Sequence, residues 1–411
     1  MKDNSTFVPE LLAPAGDRER FDKALYFGAD AIYVGGAEFG MRAAPDNFTF
    51  PELSQAVSDA HKLGVKVYLA CNTVPSNDEI YRMPEFLSQA AQTGVDAFII
   101  SDLGTMSLAK KYAPDVQIHI STQAGITNYA TANVFYDMGA SRIVTARELS
   151  LEQIAEIRAK TPKKLEIECF VHGAMCMSFS GRCLISNYLA SRDANKGDCA
   201  QPCRWKYHLV EETRPGEFNP VFEDDNGTYL LNSRDMCMIE YIPQLVKAGI
   251  SSFKIEGRAK SAYYTAVITN AYRCAIDGYL KSGSDDYLPE QWIIDEVRKV
   301  SYRDYCTGFY FSDPHSDSQI AYEGGYRRTW NVAAEVISSD SGRVYAFQRN
   351  RFFEGDELEV MQKGKPPFKV TVKNLTDENS EPITSAPHPM MKFSFECEKT
   401  VEPGSILRKL I

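Results

Sequence analysis

The sequence predicts an α/β fold: a TIM-type (β/α)8 barrel with a cysteine-rich insertion after its seventh strand, followed by a small C-terminal β-barrel domain. Three observations predict it. Seven short apolar runs recur with helical patterns between them. An eighth such run comes only after a long stretch rich in cysteine. Past residue 325 the pattern changes to short alternating runs. A doubly wound open sheet is the competing arrangement of the same βα units.

Strands are expected at 10–16 (ELLAPAG), 31–36 (AIYVGG), 66–72 (KVYLACN), 97–101 (AFIIS), 118–122 (IHIST), 142–147 (RIVTAR) and 165–170 (LEIECF). Each is a bounded run of β-branched or apolar residues of strand length. Between them FDKALYFGA, PELSQAVSDAHKLG, MPEFLSQAAQTG and LEQIAEIRAK repeat apolar residues near helical period, and several stop at a Gly. The eighth strand, SFKIEG (252–257), leads into the helical stretch SAYYTAVITNAYRCAIDGYL. These units assign 1–290 to the barrel and 171–251 to the insertion. Residues 291–411 hold a linker helix and then WNVAAEVIS, RVYAFQ, DELEVMQ, FKVTVKNL, MKFSFEC and GSILRKL, separated by the turn signals SDSG, FEGD and VEPG. They read as a small all-β domain.

Composition bounds the function. The start, MKDNSTFVPELL, has neither the basic nor the apolar segment of a secretory signal, and no run of eighteen apolar residues occurs, so a cytoplasmic protein without a membrane partner is expected. A formal charge of −10 argues against a bulk nucleic-acid coat. The stretch 182–206 is locally basic, however, with Arg182, Arg192, Lys196, Arg204 and Lys206 against Asp193 and Asp198. Ten cysteines in a reducing compartment hold metal or do chemistry more readily than they form bridges.

Their spacing is concentrated. Cys176, Cys183, Cys199 and Cys203 lie in 172–204, with Cys169 just before and Cys237 beyond. Four thiolates suit a 4Fe-4S cluster or a structural zinc, and the absence of the two-residue gaps of zinc ribbons favours iron–sulfur, zinc standing as the alternative. Cys169, inside an apolar strand, reads as core, as do the isolated Cys71, Cys274, Cys306 and Cys397.

In a TIM-type barrel the active site lies where the strands end, so Arg42, Asn72, Asp102, Gln123, Arg147, Glu148, His172, Glu256 and Arg258 become candidates by position. His172 is a candidate proton carrier, because an imidazole titrates near neutrality, with a turn-packing histidine as the alternative. Glu256 is a candidate base, unless it merely pairs with Lys254 or Arg258. Phe179, Trp205 and Tyr207, near basic residues, are candidates for stacking an extruded base, or for a hydrophobic shell.

The cysteine stretch, ECFVHGAMCMSFSGRCLIS, resembles the signature of the collagenase-like peptidase family U32. The segments ELLAPAGDRERFDKALYFGADAIYVGG, STQAGITN, RELSLEQI, CAQPCRWKY, LNSRDMC and FKIEGRAKSAYYTAVITNAYR are similar to that family as well, from residue 9 to about 280. The family name and the residues disagree: there is no HExxH and no GxSxG, and the six histidines lie singly. The resemblance instead implies an iron–sulfur enzyme that hydroxylates RNA. The similarity is greatest to the branch acting on tRNA, which makes 5-hydroxyuridine at the wobble position with prephenate as the implied hydroxyl donor. By the same resemblance Cys176, Cys183, Cys199 and Cys237 are the implied cluster ligands, with Cys203 in reserve for Cys237. The two carboxylates of prephenate would call for guanidinium partners, for which Arg42, Arg147 and Arg258 stand at strand ends. Gln123 joins Arg42 and Arg258 as a substrate-binding candidate, and Arg147 joins His172 and Glu256 as a catalytic one. A hydrolase, as the family name says, and a zinc-stapled RNA-binding accessory protein are the alternatives.

Overall fold

The computed structural model describes residues 7–36, 38–40, 47–175, 186, 190, 192, 200, 222–224, 227–229, 234–311 and 326–411. Among the described residues eight parallel strands form the barrel part of a ten-stranded sheet: β1 (Glu10–Pro14), β2 (Ala31–Gly35), β3 (Lys66–Cys71), β4 (Ala97–Ile100), β5 (Gln117–Ile120), β6 (Arg142–Val144), β7 (Glu166–Ala174) and, after the short hairpin β8 (Phe222–Asp224) and β9 (Gly227–Tyr229) and the strand β10 (Asp235–Cys237), β11 (Ser252–Ile255). β11 pairs with β1 on one side and β7 on the other, which closes the barrel and excludes the open sheet. β10 runs antiparallel to the end of β7, and β12 (Tyr305–Cys306) pairs with β10.

Helices cover the outside, and their starts are chemically fixed. Asp17 accepts from Arg20 N ahead of Arg18–Tyr26, Thr49 and Glu52 form a capping box ahead of Phe50–His61, and Ser150 with Gln153 does the same for Leu151–Ala159. Asp102 accepts from Thr105 N at 2.8 Å, so this strand-end candidate is the N-cap of Leu103–Tyr112. The longest helix, Ala262–Ser282, packs against β1 and the first helix, and it buries Tyr264, Val267, Ile268, Tyr272 and Ile276. Among the described residues no helix is long and apolar enough to cross a membrane.

The apolar core lies mainly between the strands and these helices. Inside the barrel the lining splits in two. From β1 to β4 it is a small cluster of Leu12, Ala31, Tyr33, Tyr68, Ala97 and Ile99. From β5 to β7 and β11 it carries His119, Arg142, Glu168 and Lys254, all buried. Arg142 reaches across to Glu10 of β1 at 2.6 Å and to Glu168 at 3.0 Å, and Lys254 Nζ meets Glu168 at 2.6 Å. Glu168 is 0% exposed and holds two cations, the arrangement that buried charge demands.

β7 is longer than the expected 165–170 and contains an irregularity. Lys254 pairs with Phe170 while Ile255 pairs with His172, so Val171 is an extra residue, a β-bulge. One extra residue reverses which side the following side chains face.

The C-terminal domain begins after the short helix Gln291–Glu296. Its strands are β13 (Trp330–Asp340), β14 (Arg343–Gln348), β15 (Phe352–Phe353), β16 (Glu357–Met361), β17 (Phe368–Thr371), β18 (Thr376–Asp377), β19 (Ser385–Ala386), β20 (Lys392–Glu396) and β21 (Ile406–Leu410). Seven of them form an antiparallel sheet in the order β17-β16-β21-β13-β14-β20-β18, a half-barrel around its own core, and β15 pairs with β19. A buried ion cluster joins the two domains: Arg408 of β21 reaches Glu296 at 2.5 Å and Glu359 at 2.6 Å, and Lys299 reaches Glu359 at 2.7 Å.

Candidate active site

The strand ends gather several of the residues singled out from sequence. Arg147, in the turn after β6, reaches over β7 to Glu256, in the turn after β11, at 3.3 Å. Its guanidinium donates to Ala174 O at 2.9 Å and lies 3.8 Å from the centre of the Phe170 ring. A cation held over an aromatic face and against a carboxylate is restrained from two sides, so Arg147 and Glu256 form a pair at the mouth. Glu256 pairs with Arg147, while Lys254, which with Arg258 was one of its two expected partners, is taken by Glu168 one layer below.

The turn after β11 is seated by two close approaches. Gly173 has φ +108°, and a Cβ there would run into the Glu256 backbone, so the end of β7 packs against that turn only as glycine. Gly35, at the end of β2, lies directly under the Arg258 guanidinium, which a side chain there would displace. Arg258 is buried and donates to Asn47 Oδ1 at 3.4 Å. Its charge is thus placed over β1 and β2, on the other side of the mouth from Arg147.

Gln123 sits in the 3-10 turn Thr122–Ala124 after β5 and is 8% exposed. Among the described residues neither atom of its carboxamide has a hydrogen-bond partner. Glu148, beside Arg147, is raised by burial above the usual carboxylate range, against the backbone amides of Glu148 and Arg147 and the Arg147 charge. Asn72 uses its backbone, accepting from Ser101 Oγ at 2.9 Å.

His172 is not at the mouth. The bulge at Val171 turns it to the outer side of β7, where it is 1% exposed among Tyr264, Tyr272 and Tyr305, with ring centroids 5.2–6.0 Å away. Tyr272 and Tyr305 hydroxyls stand 3.4 Å from its two nitrogens. Burial lowers its pKa to about 3, opposed by Asp235. The proton-carrying role expected from its place in the sequence is corrected accordingly: the ring is neutral near pH 7 and packs β7 against Ala262–Ser282.

Arg42, Cys176, Cys183, Cys199, Cys203, Phe179, Trp205 and Tyr207 lie outside the described residues. Among the described residues no three His, Cys, Asp or Glu side chains gather into a metal-holding group. Of the thiols implied as cluster ligands, Cys237 is described. It ends β10 opposite His172, is half-buried, and burial pushes its thiol up to about 12. Its surroundings fit an iron–sulfur group on the donor side: a soft sulfur beside Tyr272, on a strand bonded to β7, whose exit runs through buried Met175 into Cys176. Cys169 meets Thr145 Oγ1 at 3.1 Å inside the core, as expected of a thiol in an apolar strand.

Sequence reasoning passed over Lys254 and Glu168 as an interior pair. The signal was present: charged residues at 166, 168 and 254 interrupt otherwise apolar strands.

Two comparisons bear on what this mouth does. The sequence profile of Peptidase family U32 matches residues 16–320, and that of the Peptidase family U32 C-terminal domain matches 328–408. The chain is 34% identical over 406 residues to the tRNA hydroxylation protein P1 of Bacillus subtilis strain 168, covering 98% of this chain and 95% of that protein. It is 35% identical to the tRNA hydroxylation protein P of Escherichia coli strain K12, covering 93% and 92%. It is also 36% identical to the 23S rRNA 5-hydroxycytidine C2501 synthase of the same bacterium, covering 67% of this chain and 40% of that protein.

Proposed function

The chain belongs to peptidase family U32, and from that membership we propose that it is an RNA-modifying hydroxylase that forms 5-hydroxyuridine at the wobble position of tRNA. The observation that carries the reading is similarity along almost the whole chain, barrel and C-terminal domain together, to proteins named for tRNA hydroxylation. Similarity over 67% of the chain to an rRNA 5-hydroxycytidine synthase supports the wider class, hydroxylation of a pyrimidine in RNA.

The finer parts belong to the same proposal. A 4Fe-4S cluster would be held by Cys176, Cys183, Cys199 and Cys237, and it would supply electron transfer or Lewis acidity beside the barrel. Prephenate is the proposed hydroxyl donor, and the protein works in the cytoplasm. Arg258, with Arg42, would receive the donor's carboxylates, since guanidinium groups bind carboxylates through paired charge-assisted bonds. Arg147 and Glu256 would orient the reacting groups between them, with Glu256 as the base at the mouth. In support of a mouth that works on an extruded base, the fixed charges lie on opposite sides of the opening, Arg258 over β1 and β2 and Arg147 over β7.

The test is nucleoside analysis of tRNA from a deletion strain carrying the wild-type gene or a Cys176→Ser, Cys183→Ser variant. Loss of 5-hydroxyuridine on deletion, restored by the wild type alone, is the expected result. Iron and acid-labile sulfide in protein purified without oxygen, absent from the variant, would accompany it. Unchanged 5-hydroxyuridine on deletion would sink the reading, and zinc in a colourless protein would remove the cluster.

A further inference from the structure

Three polar groups in the turns after β5 and β6 are buried without a partner among the described residues: both carboxamide atoms of Gln123, Nε of Arg147, and Oε2 of Glu148. The two turns are stitched to each other. Thr122 Oγ1 donates to Thr145 O at 2.9 Å, and Ala146 N donates to Ile126 O at 3.0 Å. A buried group left without its hydrogen bond costs about 1–3 kcal/mol, so three such groups in two neighbouring turns call for a ligand that supplies the partners.

Their chemistry narrows that ligand. Gln123 offers one donor and one acceptor side by side, and Arg147 Nε offers a further donor. Glu148 Oε2 opposes an anion, which turns a dicarboxylate away from this side and towards Arg258. A neutral, planar ring edge that alternates acceptor, donor and acceptor matches donor, acceptor and donor; the uracil edge, O4, N3–H and O2, has that order. The amide and the guanidinium both sit in short turns that follow strands directly and are bonded to each other, which suits reading a base that has left its stack.

We propose that Gln123 and Arg147 read the Watson–Crick edge of the target pyrimidine, Gln123 accepting from N3–H and donating to one carbonyl while Arg147 Nε–H donates to the other, with Glu148 excluding carboxylates from the same place. The inference rests on the RNA-hydroxylase reading above and adds to it the residues that recognise the base. No covalent step is involved; the role is recognition and positioning.

The test is a cycle between side chain and base. Protein purified without oxygen is titrated, by fluorescence anisotropy, with a synthetic anticodon stem-loop carrying uridine or 3-methyluridine at the wobble position. The wild type is expected to bind the uridine stem-loop about tenfold more tightly, the size of one paired base contact. Gln123→Met, which keeps the side chain's length and loses its hydrogen bonds, is expected to bind both equally. Gln123→Asn, which keeps the amide but draws it back, serves if the Met variant does not fold, and is expected to lose the discrimination too. An undiminished tenfold preference in either folded variant, or no preference in the wild type, overturns the inference. If RNA hydroxylation itself is the wrong reading, the deletion strain's nucleosides show it independently of these titrations.

Discussion

The two halves of the barrel lining solve the same packing problem with opposite chemistry. From β1 to β4 the interior is filled by Leu12, Ala31, Tyr33, Tyr68, Ala97 and Ile99. From β5 round to β11 it is filled by His119, Arg142, Glu168 and Lys254. The boundary is made by amphipathic side chains: Tyr68 donates to Glu10 at 2.6 Å and receives the Arg142 guanidinium on its face, and Tyr33 lies under Lys254 Nζ. An apolar half tolerates a lost methyl by partial collapse, whereas a charged half fails when one partner goes, since the remaining charge has no water to turn to. The charged half also lies beneath Arg147 and Glu256: Phe170 carries Arg147 on its face, and Lys254 Nζ lies 5.4 Å from the same ring. The site thus rests on the less forgiving half.

The largest effect should come from the charged side. Glu168→Ala takes from buried Lys254 the carboxylate it meets, while Arg142 keeps Glu10 and Glu166, and should cost about 3–5 kcal/mol in denaturant unfolding; a loss under 1 kcal/mol would mean that water enters this half and the contrast is false. On the apolar side Ile99→Ala should cost about 2–5 kcal/mol, with Ile99→Val at the low end of the series, about 0.5–1.5. If both changes at residue 99 proved neutral, the apolar half would be loosely packed.

A pH series sharpens the contrast further. Burial, with Arg142, Lys254 and Lys66 nearby, holds His119 well below the ordinary imidazole value of 6.5. The unfolded chain therefore binds a proton there that the folded chain refuses. Stability from this residue is complete above about pH 6.5 and falls as pH drops towards the folded value, by up to about 1.4 kcal/mol per pH unit. His119→Phe should flatten the acid limb of a stability–pH curve, and a curve of unchanged slope would put His119 in contact with solvent. The smallest effect is expected at the rim of the network: Ser252→Ala removes one hydrogen bond of 2.8 Å to Glu10 and should cost about 1 kcal/mol, read by the same denaturant titration.

Much of this was legible in the residues. Runs such as KVYLAC and AFII declare strands by length and composition, and the helices between them declare themselves by period and cap, as at Ser150 with Gln153. Cys169 was legible as core because its neighbours are apolar. His172 was not, because a bulge of one residue at Val171 changes no composition and no motif, yet moves the imidazole from the mouth to the outside of the wall. The partner of Glu256 was hidden for a different reason. Sequence proximity offered Lys254 and Arg258, whereas strand order brings Arg147, more than a hundred residues earlier, over β7 to the same carboxylate. Orphaned polar groups such as the Gln123 amide are legible only in three dimensions, since hydrogen-bond satisfaction is a property of the surroundings.

The place of β11 sets a timetable for synthesis. Its pairing with both β1 and β7 makes it the last stave of the barrel, yet the segment 175–251 separates it from β7 in the chain. On a ribosome adding roughly 5–20 residues per second, that segment takes about 4–15 s to emerge. For that interval seven staves stand with two open parallel edges, the kind of surface that recruits other strands. A pulse-labelled nascent chain halted near residue 200 should therefore bind chaperones that one halted past 300 releases, and the cysteine-bearing segment leaves the ribosome while the barrel is still open.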